Sequence, residues 1–523
     1  MTLTDPCHHT QPIVPGRHKA GGARLLLPCF LACIVLTLVI VLPRSSASAP
    51  GEGPELSVGL GPANPSTDAS AMTYPNCRFG IGQGYRPLGS YTISSLNFGW
   101  YLNWGVQANP PRPGGVEYAQ VVRVSGTTHN PSGAALANAI LANPGALWLI
   151  GNEPDRRGMG QDDTLPQDYA RAYHAAYTFI KAQDPTARVV AGGIVQPTPI
   201  RMQYLDIVLD TYATVYDAPL PTDGWSIHSF ILREASCEVY PDSCWGADIP
   251  PGITATVGVS TPLDLDNTDN LPIFRQRIVQ FRQWMKDRGY RNTPLLITEY
   301  GTLLTYYNPN ELYYDSMGRP FDEARARDFM YGTFDFMRTA TDLNLGYPAD
   351  ENRLVQRWLW YSLDDTSYGG ALFDPYTYAR MQLGTDYGAY TEAFTPTVDL
   401  VAVNVMQVGP VPFSPAEAAT VTLRARVSNV GNISITQPIA VRFLDGTGIQ
   451  IGNDQIIAQS LAGCADVQQV AVTWSNVTPG THSVRVVVDP ENLIRENDEG
   501  NNQVMGVALV APHQVFLPLV SKR

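Results

Sequence analysis

The sequence predicts an α/β chain, a (β/α)8 TIM barrel followed by an all-β sandwich, and three observations predict it. Between about residues 74 and 394, short apolar runs alternate with amphipathic segments, the pattern of repeated β/α units around a parallel sheet. Near Thr395 the pattern changes to period-two alternation broken by turn signals, the pattern of a sandwich. Two of the apolar runs end in a glutamate, Glu153 and Glu299. A carboxylate at the end of a buried strand is costly unless it has a partner or a task.

Eight runs fit barrel strands. In chain order they are Phe79–Gly82, Phe98–Trp104, Tyr118–Val124, Leu147–Glu153, Arg188–Ile194, Gly224–Phe230, Leu295–Tyr300 and Arg357–Leu363. Three helices fit between them. Pro166–Ala182 opens on proline and places Tyr169, Tyr173, Ala176 and Ile180 on one face. Pro272–Arg288 carries Phe274, Ile278, Phe281 and Met285 at helical spacing and stops at Gly289, a residue suited to the left-handed end of a helix. Phe321–Thr341 sets Phe329, Phe336 and Met337 among charges. Each aromatic stripe reads as core packing. Beyond Thr395, five runs alternate: Asp399–Val405, Ala419–Val427, Ile439–Phe443, Val470–Trp474 and His482–Val488. They give a sandwich of about 110 residues, placed at 398–512.

The ends of the chain read differently. Arg17, Lys19 and Arg24 precede an apolar run from Leu25 to Leu42, and Ala47-Ser-Ala49 offers a small-residue cleavage site. Residues 1–49 are therefore expected to be a signal peptide or, uncleaved, a signal anchor, which is the only expected membrane contact. Residues 50–73, rich in Pro, Gly, Ser and Ala, read as a disordered linker. The apolar tail 513–523 ends in Lys522-Arg523 and reads as a sorting signal or a last strand. Net charge is −13, and residues 1–49 are themselves basic, so the exported part is more acidic still. Such a chain is a poor nucleic-acid binder.

Four of the seven cysteines lie beyond the targeting segment: Cys77, Cys237, Cys244 and Cys464. Export permits disulfides. Cys237 and Cys244, seven apart in a loop-like stretch, are expected to pair; Cys77 and Cys464 fall in different predicted domains and are left unpaired.

The chemistry rests on the two glutamates. Residues at the C-terminal ends of barrel strands line a shared mouth. Glu153 ends the fourth run and Glu299 the seventh, so their carboxyl groups can face each other across a substrate. One acid and one carboxylate flanking a sugar bond is the requirement of glycoside hydrolysis. Asn152-Glu153-Pro154 after strand four, with Thr298-Glu299-Tyr300-Gly301 after strand seven, resembles clan A (the 4/7 superfamily) of the glycoside hydrolases over residues 74–394. That resemblance implies a retaining enzyme with Glu153 as acid/base, Glu299 as nucleophile and carboxyl groups about 5–5.5 Å apart. The acid should then have a raised pKa and the nucleophile should be ionised. No metal or cofactor is required.

The resemblance also suggests substrate-binding residues. Asn152 would meet the sugar 2-hydroxyl, with a structural cap as the alternative. His228 would stand near the nucleophile, or be a satisfied core histidine. Trp360 would form the platform under the sugar, with Trp358 or Tyr361 as the alternatives. Arg123 would support the nucleophile, or form an ordinary barrel ion pair, while Trp104 and Asn103 would line the cleft. The runs Trp100–Trp104 and Gly151–Asp155 are similar to β-1,3-glucanase-like families, with xylosidase-like and mannanase-like members as the alternatives, and the loop 231–271 is expected to hold the choice of glycan.

Val427–Gly431, Val486–Pro490 and Ile494–Asn502 resemble the cell-adhesion-related CARDB domain. This implies an immunoglobulin-like sandwich that serves as a surface or glycan-binding appendage. Its acidic run Glu496–Asn502 reads as a solvated turn, with calcium binding as the alternative. The expectation is thus a secreted or cell-surface glycosidase; the competing reading is a non-catalytic glycan-binding surface protein.

Overall fold

A computed structural model describes residues 76–158, 160–239, 246–258, 265–304, 313–409, 411–412 and 418–511. The expected targeting segment (1–49), the expected linker (50–73), the tail 513–523 and Cys244 lie outside the described residues. Among the described residues no helix is long and apolar enough to cross a membrane.

The barrel strands are β1 Phe79–Gly82, β2 Trp100–Leu102, β3 Glu117–Tyr118, β4 Gln120–Ser125, β5 Thr128–Asn130, β6 Leu147–Ile150, β7 Arg188–Ile194, β8 Gly224–His228, β9 Leu295–Tyr300 and β10 Arg357–Trp360. They form one curled sheet in the order β3-β2-β1-β10-β9-β8-β7-β6-β4-β5, parallel except for the β4–β5 hairpin. The predicted third strand is bent at Ala119. Its first half, β3, pairs with β2 and its second half, β4, pairs with β6. The Ala119 N–H donates to the Tyr101 carbonyl (2.8 Å) and that of Val121 to Gly105 (3.0 Å), so this one strand closes the barrel.

Apart from the exposed edge strand β5, the strands are covered on both sides, which is why the runs are continuously apolar. Trp100, Leu102, Val121, Leu147, Leu149, Val190, Leu296 and Leu359 fill the barrel axis. Trp148, Trp225, Ile297, Trp358 and Trp360 point outward into the core beneath the helices.

The helices are α1 Gly133–Ala142, α2 Pro166–Gln183, α3 Pro199–Tyr216, α4 Leu271–Asp287, α5 Glu323–Thr339 and α6 Gln382–Glu392. The three predicted helices are α2, α4 and α5. At α4, the Asn270 side chain accepts from Ile273 N–H, and Gly289 takes φ 85° just past the end. Only short 3-10 turns connect β1, β2 and β3, which leaves that side of the barrel without a helical layer of its own.

The C-terminal strands are β11 Leu400–Val408, β12 Ala419–Asn429, β13 Ile439–Asp445, β14 Gln455–Ile457, β15 Asp466–Val477, β16 Gly480–Val488 and β17 Gln503–Val510. They make two antiparallel sheets, β11-β12-β15 and β14-β13-β16-β17, over a core that includes Leu423, Val441, Phe443, Val472 and Val486. The acidic run is a turn fastened to this sandwich. Glu496 accepts from Leu400 N–H (2.5 Å) and from the Asn502 amide (3.0 Å), and burial raises it to about 7.

The sandwich docks on the N-terminal end of the barrel, and this corrects one expectation. Cys77 and Cys464 are disulfide-bonded across 387 residues. Cys77 precedes the first barrel strand and Cys464 lies between two sandwich strands, and the barrel and the sandwich meet. Tyr347 and Ala349 pack on Ala465, Val403 and Val467. Arg78 donates to the Val430 carbonyl (3.1 Å) while both of its terminal nitrogens pair with Asp350. Cys237 is also disulfide-bonded.

Candidate active site

The strand-four glutamate lies one turn beyond β6. Gly151 takes φ 91° and Glu153 φ 47°, so the chain folds sharply over the strand end. The Glu153 N–H donates to the Gly193 carbonyl at the end of β7 (2.8 Å), which pins the turn. Glu299 stands near the end of β9 and His228 at the end of β8, directly beside it in register. Glu153 and His228 are buried, 1% and 3% exposed, while the Glu299 side chain is partly open at 13%.

His228 links the two acids. Its Nδ1 is 2.9 Å from Glu153 Oε1 and 3.7 Å from Glu299 Oε2. One oxygen of each carboxylate and an imidazole nitrogen lie within 4.8 Å of one another, the only such cluster among the described residues. A His and two carboxylates also form a metal donor set. Here the donors are already satisfied by protein, since Nδ1 bonds Oε1 directly and Glu299 Oε2 accepts from the Trp104 indole N–H (2.9 Å). We read the cluster as a hydrogen-bonded acid pair.

Its electrostatics follow from burial and mutual charge. For Glu299, burial comes first and the Glu153 charge adds to it; with His228 and the indole opposing, the carboxyl is raised to about 7. Burial would also raise Glu153, but the His228 hydrogen bond and charge, then Arg156, reverse this and hold it below the usual range. Burial disfavours the His228 imidazolium, yet the two carboxylates outweigh it and raise the imidazole. The pair and the imidazole therefore titrate as one unit. The proton bias runs opposite to the expectation of a raised Glu153 and an ionised Glu299. The reason is positional: Glu153 takes the shorter His228 contact and Arg156, leaving Glu299 with less compensation.

The remaining predicted residues divide. Trp104 is at the site, bonded to Glu299. Asn103 is turned back, its side-chain oxygen accepting from the Tyr118 hydroxyl. The Asn152 amide donates to Gln161 Oε1 (2.6 Å), which engages it within its own loop. Arg123 pairs with Asp162 (2.5 Å) and donates to the Gly160 carbonyl, so its guanidinium serves the β6–α2 loop instead of Glu299. Trp360 faces the helices, donates to the Gly370 carbonyl and packs edge-on against Tyr300. The cause is parity: Leu359 points to the axis, so 358 and 360 point away and 361 points inward. Tyr361 accordingly packs against Trp104 and Phe230, its hydroxyl donating to Asp365 (2.5 Å).

Two features were missed in the sequence. Arg156, one turn after Glu153, donates to Glu153 Oε2 (3.2 Å) and to the Gly246 carbonyl (3.0 Å). The spacing i, i+3 in a tight turn was its available signal. Behind it, fully buried Arg201 pairs with Asp155 and Glu234 and donates to the Ala247 and Asp248 carbonyls. Only the assembled fold brings those four segments together.

Residues 397–505 match the CARDB family. No curated protein matches the chain. Among solved structures, a GH128 (subgroup II) endo-β-1,3-glucanase from Sorangium cellulosum is 16% identical, covering 60% of this chain and 98% of its own, with a TM-score of 0.37. A GH128 (subgroup I) endo-β-1,3-glucanase from Amycolatopsis mediterranei, solved with laminaritriose, is 15% identical over 60% and 99%, with a TM-score of 0.38. The CARDB domain of a Pyrococcus furiosus protein is 21% identical over 23% and 100%, with a TM-score of 0.19. At these identities and scores the likenesses carry no activity across.

Proposed function

We propose that this protein is an exported retaining glycoside hydrolase acting on a β-linked glucan, β-1,3-linked by preference. The observation that carries the reading is the pair of glutamates at the ends of two barrel strands, their oxygens within 4.8 Å and bridged by His228. Such closeness favours double displacement, which uses carboxyl groups about 5–5.5 Å apart, over inversion, which needs roughly 6.5–9.5 Å to admit a water. Glu299 is the nucleophile that forms the glycosyl-enzyme. Glu153 is the acid/base: it protonates the leaving oxygen, then deprotonates the incoming water. Burial raises Glu299 while His228 and Arg156 hold Glu153 low, and cleavage needs the reverse arrangement, Glu299 ionised and Glu153 protonated. His228, in contact with both, is the group that links them. Trp104 holds Glu299 through its indole N–H, and Tyr361 supplies the aromatic wall. The sandwich is a surface appendage at the opposite end.

The test is hydrolysis across a glycan panel that includes a linear β-1,3-glucan, with the first-formed anomer read by NMR. Retained configuration in the wild type and loss of turnover in Glu299→Ala are expected. Inverted product, unchanged activity in the variant, or binding without hydrolysis would overturn the proposal.

A further inference from the structure

We infer that Arg156 is a positioning residue for Glu153, fixing the acid/base through the loop that follows β8. The inference rests on the glycosidase reading above. Glu153 is gripped on both oxygens. Oε1 takes His228 from inside the barrel, and Oε2 takes Arg156 from the mouth. The other nitrogen of the same guanidinium donates to Gly246. Gly246 has φ 116°, and a side chain there would meet the Arg233 carbonyl at 2.4 Å, so its carbonyl is held in one place. Arg201 holds the next two carbonyls, of Ala247 and Asp248, while gripping Asp155 of the Glu153 turn. The 246–248 segment is thus a fixed rail, and Arg156 transmits its position to the carboxyl group.

Arg156 suits this role because a guanidinium forks. One planar group meets the carboxylate through one nitrogen and the carbonyl through another, a fixed spacing that the single nitrogen of lysine does not reproduce. The other charged or titratable groups around Glu153 are His228 of β8, Glu299 of β9, Asp155 with its partner Arg201, and Tyr368 of the loop after β10. None of these reaches Oε2 by a hydrogen bond. Arg156 is one-fifth exposed at the mouth and belongs to none of the hydrophobic clusters, so its replacement by methionine removes no core side chain.

A positioning role has a kinetic signature that a structural role lacks. Cleavage of a natural glucan needs Glu153 in both half-reactions. Cleavage of a 2,4-dinitrophenyl β-1,3-gluco-oligosaccharide needs no acid in the first, because dinitrophenolate leaves unaided, but still needs the base in the second. In Arg156→Met, kcat/KM on the glucan should fall roughly 10- to 100-fold, while kcat/KM on the aryl substrate stays within about twofold. On the aryl substrate kcat should fall, and azide, which needs no base to attack, should restore it. Arg156→Lys should be impaired on the glucan as well. Equal loss of kcat/KM on both substrates, or full activity of Arg156→Met on the glucan, would overturn the inference. A wild type inert on both substrates would instead defeat the glycosidase reading itself.

Discussion

Removing the Cys77–Cys464 bond should weaken the sandwich and spare the barrel. The bond spans 387 residues, and against a fully unfolded chain the loop-entropy argument assigns it about 6 kcal/mol. Most of that loop is barrel, whose ends are already held together. Phe79 stacks on Phe394 with centroids 5.7 Å apart, and the Asn76 amide donates to the Thr391 carbonyl. With the barrel folded, the bond closes only the stretch from about residue 395 to Cys464. That is roughly 70 residues, for which the same argument assigns about 4 kcal/mol. This contribution falls on the sandwich, and for a domain of about 110 residues it corresponds to a loss of on the order of 15–25 °C in melting temperature. The assay is calorimetry of Cys77→Ser/Cys464→Ser beside the wild type, with tryptophan fluorescence reporting the barrel. Fluorescence separates the two because Trp474 is the only one of nine tryptophans beyond residue 394. A sandwich transition within about 3 °C of the wild type, or an equal fall in the barrel transition, would refute the reasoning.

Two further outcomes follow from the site. Glu299 is raised from 4.5 to about 7 in the fold; the stability it contributes is complete below pH 4.5 and is lost as pH rises through about 7. Glu299→Gln should therefore match wild-type melting near pH 4 and exceed it increasingly towards pH 8, whereas a pH-independent difference would refute the assignment. Trp360→Ala should cost about 3–5 kcal/mol of stability and leave KM for the glucan unchanged, while Tyr361→Ala should raise KM with a small stability effect. Paired thermal melts and Michaelis curves decide it, and the reverse pattern would refute the inward orientation of Tyr361.

The barrel was legible because its strands are apolar on both faces and its two glutamates interrupt that pattern at the strand ends. Helices with a sharp apolar stripe, α2, α4 and α5, were legible for the same reason. α3 was not: Ile200, Met202, Ile207 and Leu209 are packed as well as Tyr204, Leu205 and Val208, so its apolar residues encircle the helix. α1 is half alanine and carries no charge, and β17 is interrupted by Gly506, which lets β11 approach. In the site, Glu153, Glu299, His228 and Trp104 come together as their motif positions suggest. Trp360 was misread because the aromatic residue was weighed above the parity that Leu359 imposes. Arg123 and Asn103 depended on loop partners, Asp162 and Tyr118, that only folding selects. The Cys77–Cys464 pair was invisible for a related reason, since sequence assigns cysteines to domains but does not say which domain surfaces meet.

The docking of the sandwich also determines which way the molecule faces. Its β11-β12-β15 sheet covers the strand-start end of the barrel, where Tyr347 and Ala349 meet Val403, Ala465 and Val467, and the glutamates open at the other end. The sandwich is therefore a pedestal. If it were fixed to a support, the mouth that holds the two glutamates would point away from that support. Under the proposed activity, a long polymer could then be taken up from the surrounding medium without first being threaded past the anchoring surface.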